Sequence, residues 1–368
     1  MSKIRIDKKI FSVALAVGSS MSGRSKTLPI LDTAKIAVKG NTAIISSYDM
    51  EVAITKRTSV LQSDEDFVFC VNGKDFLNII RSINDAEISI EINEKTVTVY
   101  HAKGETSLPI FDADEFPKPV MDDNGKELIV DAQSLYNLLG EAKGFCGNDP
   151  LRPILTCVNI YAHNGVLGVF ASDGTALYNN EYADKGCENM DLSFNIQSKA
   201  IDAVLNAINK VQTARINIGE RNIRVSGSDA AVIVTMVEGR YPNARAIIPT
   251  THRTIVSLSK SELLESIKRA SLTCNQTTAI IKFKVSGDSL DISSQDIDFS
   301  KKTHETIACT CDGQYLTIGM KSTLVVNALS VLYEDVAISF NDNRRAAVWK
   351  NQKDDGKIVL IMPALVED

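Results

Sequence analysis

Phe170-Ala171-Ser172-Asp173-Gly174-Thr175-Ala176-Leu177 lies near the middle of a 368-residue chain. Val166, Leu167 and Val169 lead into it, so it reads as a strand that ends in a turn. The same figure occurs twice more. Residues 41–54 run Asn-Thr-Ala-Ile-Ile-Ser-Ser-Tyr-Asp-Met-Glu-Val-Ala-Ile, and residues 288–299 run Asp-Ser-Leu-Asp-Ile-Ser-Ser-Gln-Asp-Ile-Asp-Phe. Each is a short apolar run, then small residues, then an aspartate. Asp49, Asp173 and Asp296 are separated by 124 and 123 residues, which implies three copies of one domain.

Helical patterns repeat at the same interval. Residues 71–83 place Phe76, Ile79, Ile80 and Ile83 on one helix face; residues 196–208 do so with Ile201, Val204, Leu205 and Ile208; residues 320–332 do so with Val325, Ala328, Leu329 and Leu332. A second helix opens each copy. It carries Ile10, Val13, Ala14 and Val17 in the first, Leu135, Leu138, Leu139 and Ala142 in the second, and Leu263, Ile267 and Ala270 in the third. Asp7, Asp131 and Ser259 are the expected N-caps, because their oxygens can accept the unpaired amide hydrogens of a first turn. Residues 86–92, 215–218 and 222–225 alternate as half-buried strands. Pro, Gly, Asp and Thr gather at 117–125 and 249–253. The expected architecture is α+β: three tandem domains over 1–120, 126–249 and 253–368, each with two helices backed by antiparallel sheet.

Composition narrows the function. The chain is 44% hydrophobic and 23% charged, ordinary for a globular protein, and no apolar run is long enough to span a bilayer. The N-terminus alternates like a strand and lacks the apolar core of a signal peptide. Seven cysteines without framework spacing are expected to be free thiols in a cytoplasmic protein. The net charge of −6 excludes a uniformly basic surface but leaves room for charge segregated between faces.

A search for catalytic chemistry yields little. Residues 18–25, Gly-Ser-Ser-Met-Ser-Gly-Arg-Ser, miss a Walker loop by an arginine at the lysine position. The context is inverted too, with a helix before the loop and Leu28-Pro29-Ile30-Leu31 reading as a strand after it. His304, Cys309 and Cys311 lack a fourth ligand, so packed thiols are expected rather than a metal site. Asp173 recurs in all three copies, as a turn residue of a repeated fold should and a catalytic group need not. No cofactor, metal or enzymatic activity is expected. A strand-rich binding or adhesion scaffold is the rival class, and it calls for an export signal and paired cysteines.

In order along the whole chain, Gly23-Arg24 before Leu28-Pro29-Ile30-Leu31, Ala171-Ser172-Asp173-Gly174, Glu238-Gly239-Arg240-Tyr241-Pro242, Ile248-Pro249 and Val359-Leu360-Ile361-Met362-Pro363 resemble the bacterial DNA sliding clamps. These are the beta subunits of the replicative DNA polymerase III holoenzyme. The resemblance implies a processivity factor: a ring closed head to tail by two subunits, with twelve helices around duplex DNA and sheets outside. Sequence-independent phosphate contacts are then expected from Arg24, Lys26, Arg81, Arg152, Lys199, Lys210, Lys268 and Lys321. A pocket between the second and third domains is expected to hold short apolar peptides of the polymerase, the clamp loader and repair proteins. Its implied lining is Leu155, Ser172, Gly174, Thr175, Ala176, Leu177, Pro242, Ala246, Ile247, Ala346, Leu360, Met362, Pro363, Ala364 and Leu365. The implied dimer contact sets Lys74, Lys103, Thr106 and Leu108 against Leu272, Asp298, Lys301, Lys302 and Glu305. Lys301-Lys302 interrupts a patch that is commonly acidic in the family, so Leu108 and Leu272 should contribute more than charge. The terminal Val366-Glu367-Asp368 is expected to favour basic partner peptides.

Overall fold

The computed structural model describes residues 2–24, 28–121, 125–333, 335–353 and 356–366; Lys26, Glu367 and Asp368 lie outside them. Six α-helices occur among the described residues: α1 (Lys8–Gly18), α2 (Gly73–Ser82), α3 (Ala132–Ala142), α4 (Ile201–Ile208), α5 (Lys260–Ser271) and α6 (Ser322–Val331). Each follows one strand and precedes three antiparallel strands, so each copy of the threefold repeat is itself a pair of β-α-β-β-β units.

Two compact units result, Met1–Tyr136 with Lys199–Met236, and Asn137–Ser198 with Val237–Asp368. The first holds a 13-stranded sheet, and the second holds sheets of nine and four strands. In the first unit α1 packs against α2, over a core that includes Ile6, Phe11, Leu15, Ile36, Ile45, Phe76 and Ile80. In the second, α5 packs against α6.

Distant segments join inside each unit by pairing of third strands. Val52–Ser59 pairs antiparallel with Ala230–Thr235 in the first unit, Val52 opposite Val234. Ala176–Ala183 pairs with Ile358–Ile361 in the second, Leu177 opposite Leu360.

Local chemistry explains most of these elements. Asp7 accepts from the Ile10 amide at 2.8 Å and Asp131 from the Ser134 amide at 2.7 Å, as expected of N-caps. Asn72 caps α2 in the same way at 2.9 Å. Ser259 does not cap α5 with its side chain; its hydroxyl bonds the Ser261 hydroxyl at 2.9 Å, and Glu262 complements the helix dipole in the first turn.

Three further expectations are corrected. Leu28–Leu31 is not a strand, because Pro29–Asp32 forms a 3-10 turn. Proline fixes φ and needs no donor at a first helical position, and Pro153–Thr156 repeats the arrangement. In α1 the buried face is Phe11, Ala14, Leu15 and Gly18, while Ile10 and Val13 are more than half exposed. Both faces fit a helical period, and the one carrying the aromatic ring and the glycine packs on the sheet. The pattern over 196–208 begins too early, since Ile196 belongs to the strand Asp191–Gln197 and α4 starts at Ile201.

The repeated aspartates are turn residues. Asp49 accepts from the amides of Glu51 at 3.0 Å and Val52 at 2.7 Å, and Asp173 from those of Thr175 at 2.7 Å and Ala176 at 2.8 Å. Among the described residues Asp296 accepts only a long 3.4 Å bond from Phe299, because its hairpin is two residues longer. Replacing either of the first two by alanine leaves two amides without their acceptor. Asp49→Ala and Asp173→Ala should each cost about 1–3 kcal/mol in chemical denaturation, and Asp296→Ala less.

Candidate peptide pocket and cationic surface

Within the second unit, Leu177 and Leu360 join Tyr161, Phe170, Tyr241, Ala244 and Val348 in one buried cluster, with Ala346, Ile154 and Ile248 packed against it. The turn at its edge is built by side chains. The Ser172 hydroxyl donates to the Ala176 carbonyl at 2.7 Å and accepts from the Gly174 amide at 3.0 Å. The Thr175 carbonyl then accepts from the Met362 amide at 2.8 Å, which ties the turn to the chain's last strand. Beyond it, the Ala364 amide donates to the Gly319 carbonyl at 2.8 Å. Met362, Leu365, Pro242, Ala246 and Ile247 are exposed around this buried floor, and Leu155, Pro363 and Ala364 are partly covered. The expected lining residues therefore occupy one region of one unit.

Gly174 has φ +91°, and a Cβ there would sit 3.2 Å from an Arg152 guanidinium nitrogen and 3.8 Å from Leu155. Arg152 thus lies against the Ser172–Ala176 turn, held by Asp149 at 2.9 Å. The region equivalent to Leu155 in the first repeat is closed: Leu31 is fully buried, whereas Leu155 is partly exposed.

Sequence reasoning missed the aromatic floor. Tyr161 and Phe170 stack with centroids 5.1 Å apart, and Arg245 lies over both rings while pairing with Glu181 at 2.7 Å. Gly168 makes room for the Tyr161 ring, which would lie 2.2 Å from an added Cβ. The signal was present as aromatics in neighbouring alternating strands, but their shared face depends on the register Tyr161 opposite Gly168. On the other face of the strand, Tyr178 and the fully buried Lys357 both bond Glu141.

The cationic residues separate into two groups. Arg24, Arg81, Lys210, Lys268 and Lys321 are exposed at or near helix ends and on helix surfaces. Lys199 instead pairs with Glu51 and lies 3.7 Å from the buried carboxylate of Asp49, and its carbonyl accepts from Arg24 at 3.3 Å.

Five of the residues expected at a subunit contact lie on two strands with open edges. Gly104–Phe111 carries Thr106 and Leu108. Among the described residues it pairs outward only through Ile110 and Phe111, which leaves 104–109 open. Lys301–Ala308 ends the four-stranded sheet and carries Lys301, Lys302 and Glu305. Lys103 and Asp298 are exposed just before these strands in sequence, and Lys74 is exposed in the first turn of α2. Glu305 is engaged by Arg269 at 2.7 Å and by the Ser266 hydroxyl, which hold its carboxyl down at about 2. Leu272 is exposed and lines an apolar groove of about 540 Å³ with Lys268 and Val326.

Metal-ligand clusters are absent among the described residues. Burial pushes the Cys157 and Cys187 thiols up to about 11 and Cys146 to about 12, as for packed thiols. No helix is long and apolar enough to cross a membrane among the described residues.

The model of the DNA polymerase III beta subunit N-terminal domain matches residues 2–122, and that of the C-terminal domain matches residues 245–365. The chain is 23% identical to the beta sliding clamp of Bacillus subtilis over 99% of this chain and 98% of that one. It is 25% identical to that of Staphylococcus aureus over 92% of each. Among solved structures, the Bacillus subtilis DNA polymerase sliding clamp superposes with a TM-score of 0.91 at 22% identity and full coverage of both chains. The Thermotoga maritima DNA polymerase III beta subunit gives 0.92 at 20% identity, again over both whole chains. A repeated β-α-β-β-β architecture and two matching family domains thus agree, and the chain belongs to the DNA polymerase III beta subunit family, the sliding clamps of DNA replication.

Proposed function

We propose that two copies of this chain close head to tail into a ring around duplex DNA and tether the polymerase and other DNA-processing proteins through the pocket at Leu177 and Leu360. The observation that carries the ring is the pattern of third strands. Val52–Ser59 and Ala176–Ala183 each find a partner strand from the next repeat inside the chain. Lys301–Ala308 is the third member of that series, and Gly104–Phe111 is the remaining acceptor. Open strand edges carry unpaired N–H and C=O groups and invite pairing with another chain. The three repeats, with residues 1–120, 126–249 and 253–368 as their domains, would then form half of the ring.

In this reading the helices face the DNA. Arg24, Arg81, Lys210, Lys268 and Lys321 supply positive charge to phosphates without reading bases, which permits sliding. Lys199 is already matched by two carboxylates and serves the fold. The chain performs no catalysis; it converts a partner's weak, transient hold on DNA into a topological one. The pocket supports this with apolar, adaptable surface at Met362, Ile247 and Leu365 over an aromatic floor. One solved relative, from Pseudomonas aeruginosa, is described as bound to griselimycin.

Loaded onto a nicked circular plasmid, the protein should stay bound through gel filtration and be released when the plasmid is linearised. Loss from both forms would contradict encirclement. Calorimetry with a short apolar polymerase peptide should show that Met362→Ala and Ile247→Ala each weaken binding by roughly tenfold, about 1.4 kcal/mol, without loss of plasmid retention. Lys199→Ala should leave the salt dependence of retention unchanged. Arg81→Ala should lower its slope by about one phosphate contact.

A further inference from the structure

The two strand junctions inside the chain specify how the open edges should meet, and the meeting point differs from its siblings in a way that suggests a latch. This rests on the head-to-tail ring proposed above.

The register follows from the repeat. The hairpin of Ile218 and Ile223 matches that of Ile92 and Val97, and Val234 lies opposite Ile223 as Leu108 lies opposite Val97. Leu108 therefore occupies the position of Val234, which pairs with Val52. Val52 precedes Ala53, the partner of Tyr48; its counterparts precede Leu177, the partner of Ser172, and Lys302, the partner of Gln295. Lys301 therefore occupies the position of Val52. Leu108 of one copy should face Lys301 of the other, Thr106 should face Thr303, and Glu105 should face His304.

Donor direction agrees. Ile110 gives its N–H to Lys95 inside its own sheet, so Glu105 and Ser107, of opposite parity, direct theirs to the open edge.

The end of this ladder is unlike the other two. In the first unit the Thr235 amide donates to Glu51 at 2.8 Å, and in the second the Met362 amide donates to Thr175 at 2.8 Å. The equivalent position is Pro109, which has no N–H. The opposing hairpin tip is two residues longer and presents Ile297 and Phe299, 80% and 69% exposed. Past Pro109, Phe111 and Val68 share one exposed sheet face, because Phe111 lies opposite Cys70 and Val68 is two residues from it.

We propose that ring closure uses this register, and that the Ile297–Phe299 tip of one copy latches onto Phe111 and Val68 of the second copy. The missing backbone hydrogen bond is replaced by apolar contact. Lys301-Lys302 then need no acidic partner.

The test is cysteine cross-linking in the full chain. Thr106 and Thr303 would form a non-hydrogen-bonded antiparallel pair, whose Cβ atoms are near enough for a disulfide. A chain carrying T106C and T303C should oxidise to a covalent dimer. Chains carrying T106C with K301C, or T106C with E305C, should not, and the unsubstituted chain controls for Cys309 and Cys311. By sedimentation, I297S with F299S should raise the dimer dissociation constant roughly a hundredfold, as for loss of two buried apolar side chains. F111S should raise it roughly tenfold. A dimer that cross-links only in a shifted register overturns the register. A dimer constant unmoved by the tip substitutions overturns the latch. A monomeric unsubstituted chain overturns the ring reading, and this inference with it.

Discussion

Backbone pairing between third strands is the interaction on which the rest of this structure depends. A β-α-β-β-β unit buries its helix on one sheet face but leaves its last strand with unpaired N–H and C=O groups along one edge. Inside the chain that demand is met twice, by Ala230–Thr235 for Val52–Ser59 and by Ile358–Ile361 for Ala176–Ala183. This is why residues 199–236 belong to one compact unit with the N-terminal segment, although the repeat in the sequence places them in a central domain. The sheet, rather than the repeat boundary, decides which segments form one body.

The surface around Leu177 and Leu360 is a local departure from that scheme. Both internal junctions begin at an aspartate turn whose next residue has positive φ, Met50 at +78° and Gly174 at +91°. Methionine accepts some backbone strain there, of order 1 kcal/mol. Glycine avoids it and brings Arg152 and Leu155 against the turn. In the first junction Leu31 is sealed into the core; in the second Leu155 stays partly open and Met362 is 46% exposed. One fold unit thus yields a closed seam in one place and an adaptable apolar surface in another. The difference rests on a few side chains rather than on a new element.

Much of this was legible in the residues. Aspartates spaced by 124 and 123 residues, helix stripes at the same interval and caps at Asp7 and Asp131 sufficed for a repeated α+β fold. The doubling to six units was not legible in the first repeat, whose second half has no matching aspartate turn: the Ala102 amide bonds Asp85, from a different loop. The helix face of α1 was misassigned because two apolar stripes satisfy one period and only tertiary packing chooses between them. The site divides in the same way. Leu177 and Leu360 could be placed by resemblance, but the Tyr161–Phe170–Arg245 floor needs strand register, and the commitment of Lys199 to Glu51 and Asp49 needs a contact 148 residues apart. Charge patterns identify cations; they do not say which are already matched.

The central claim is that the edges left open in one chain are paired in the assembled protein as the internal junctions are. Amide hydrogen exchange across a concentration series reads this directly. At concentrations where the protein is dimeric, the amides of Glu105, Ser107, Lys302 and His304 should exchange as slowly as those in the Val52–Ser59 and Ala230–Thr235 pairing. On dilution to monomer, only the first four should become fast. Fast exchange of those four amides in a sample shown to be dimeric would contradict the account.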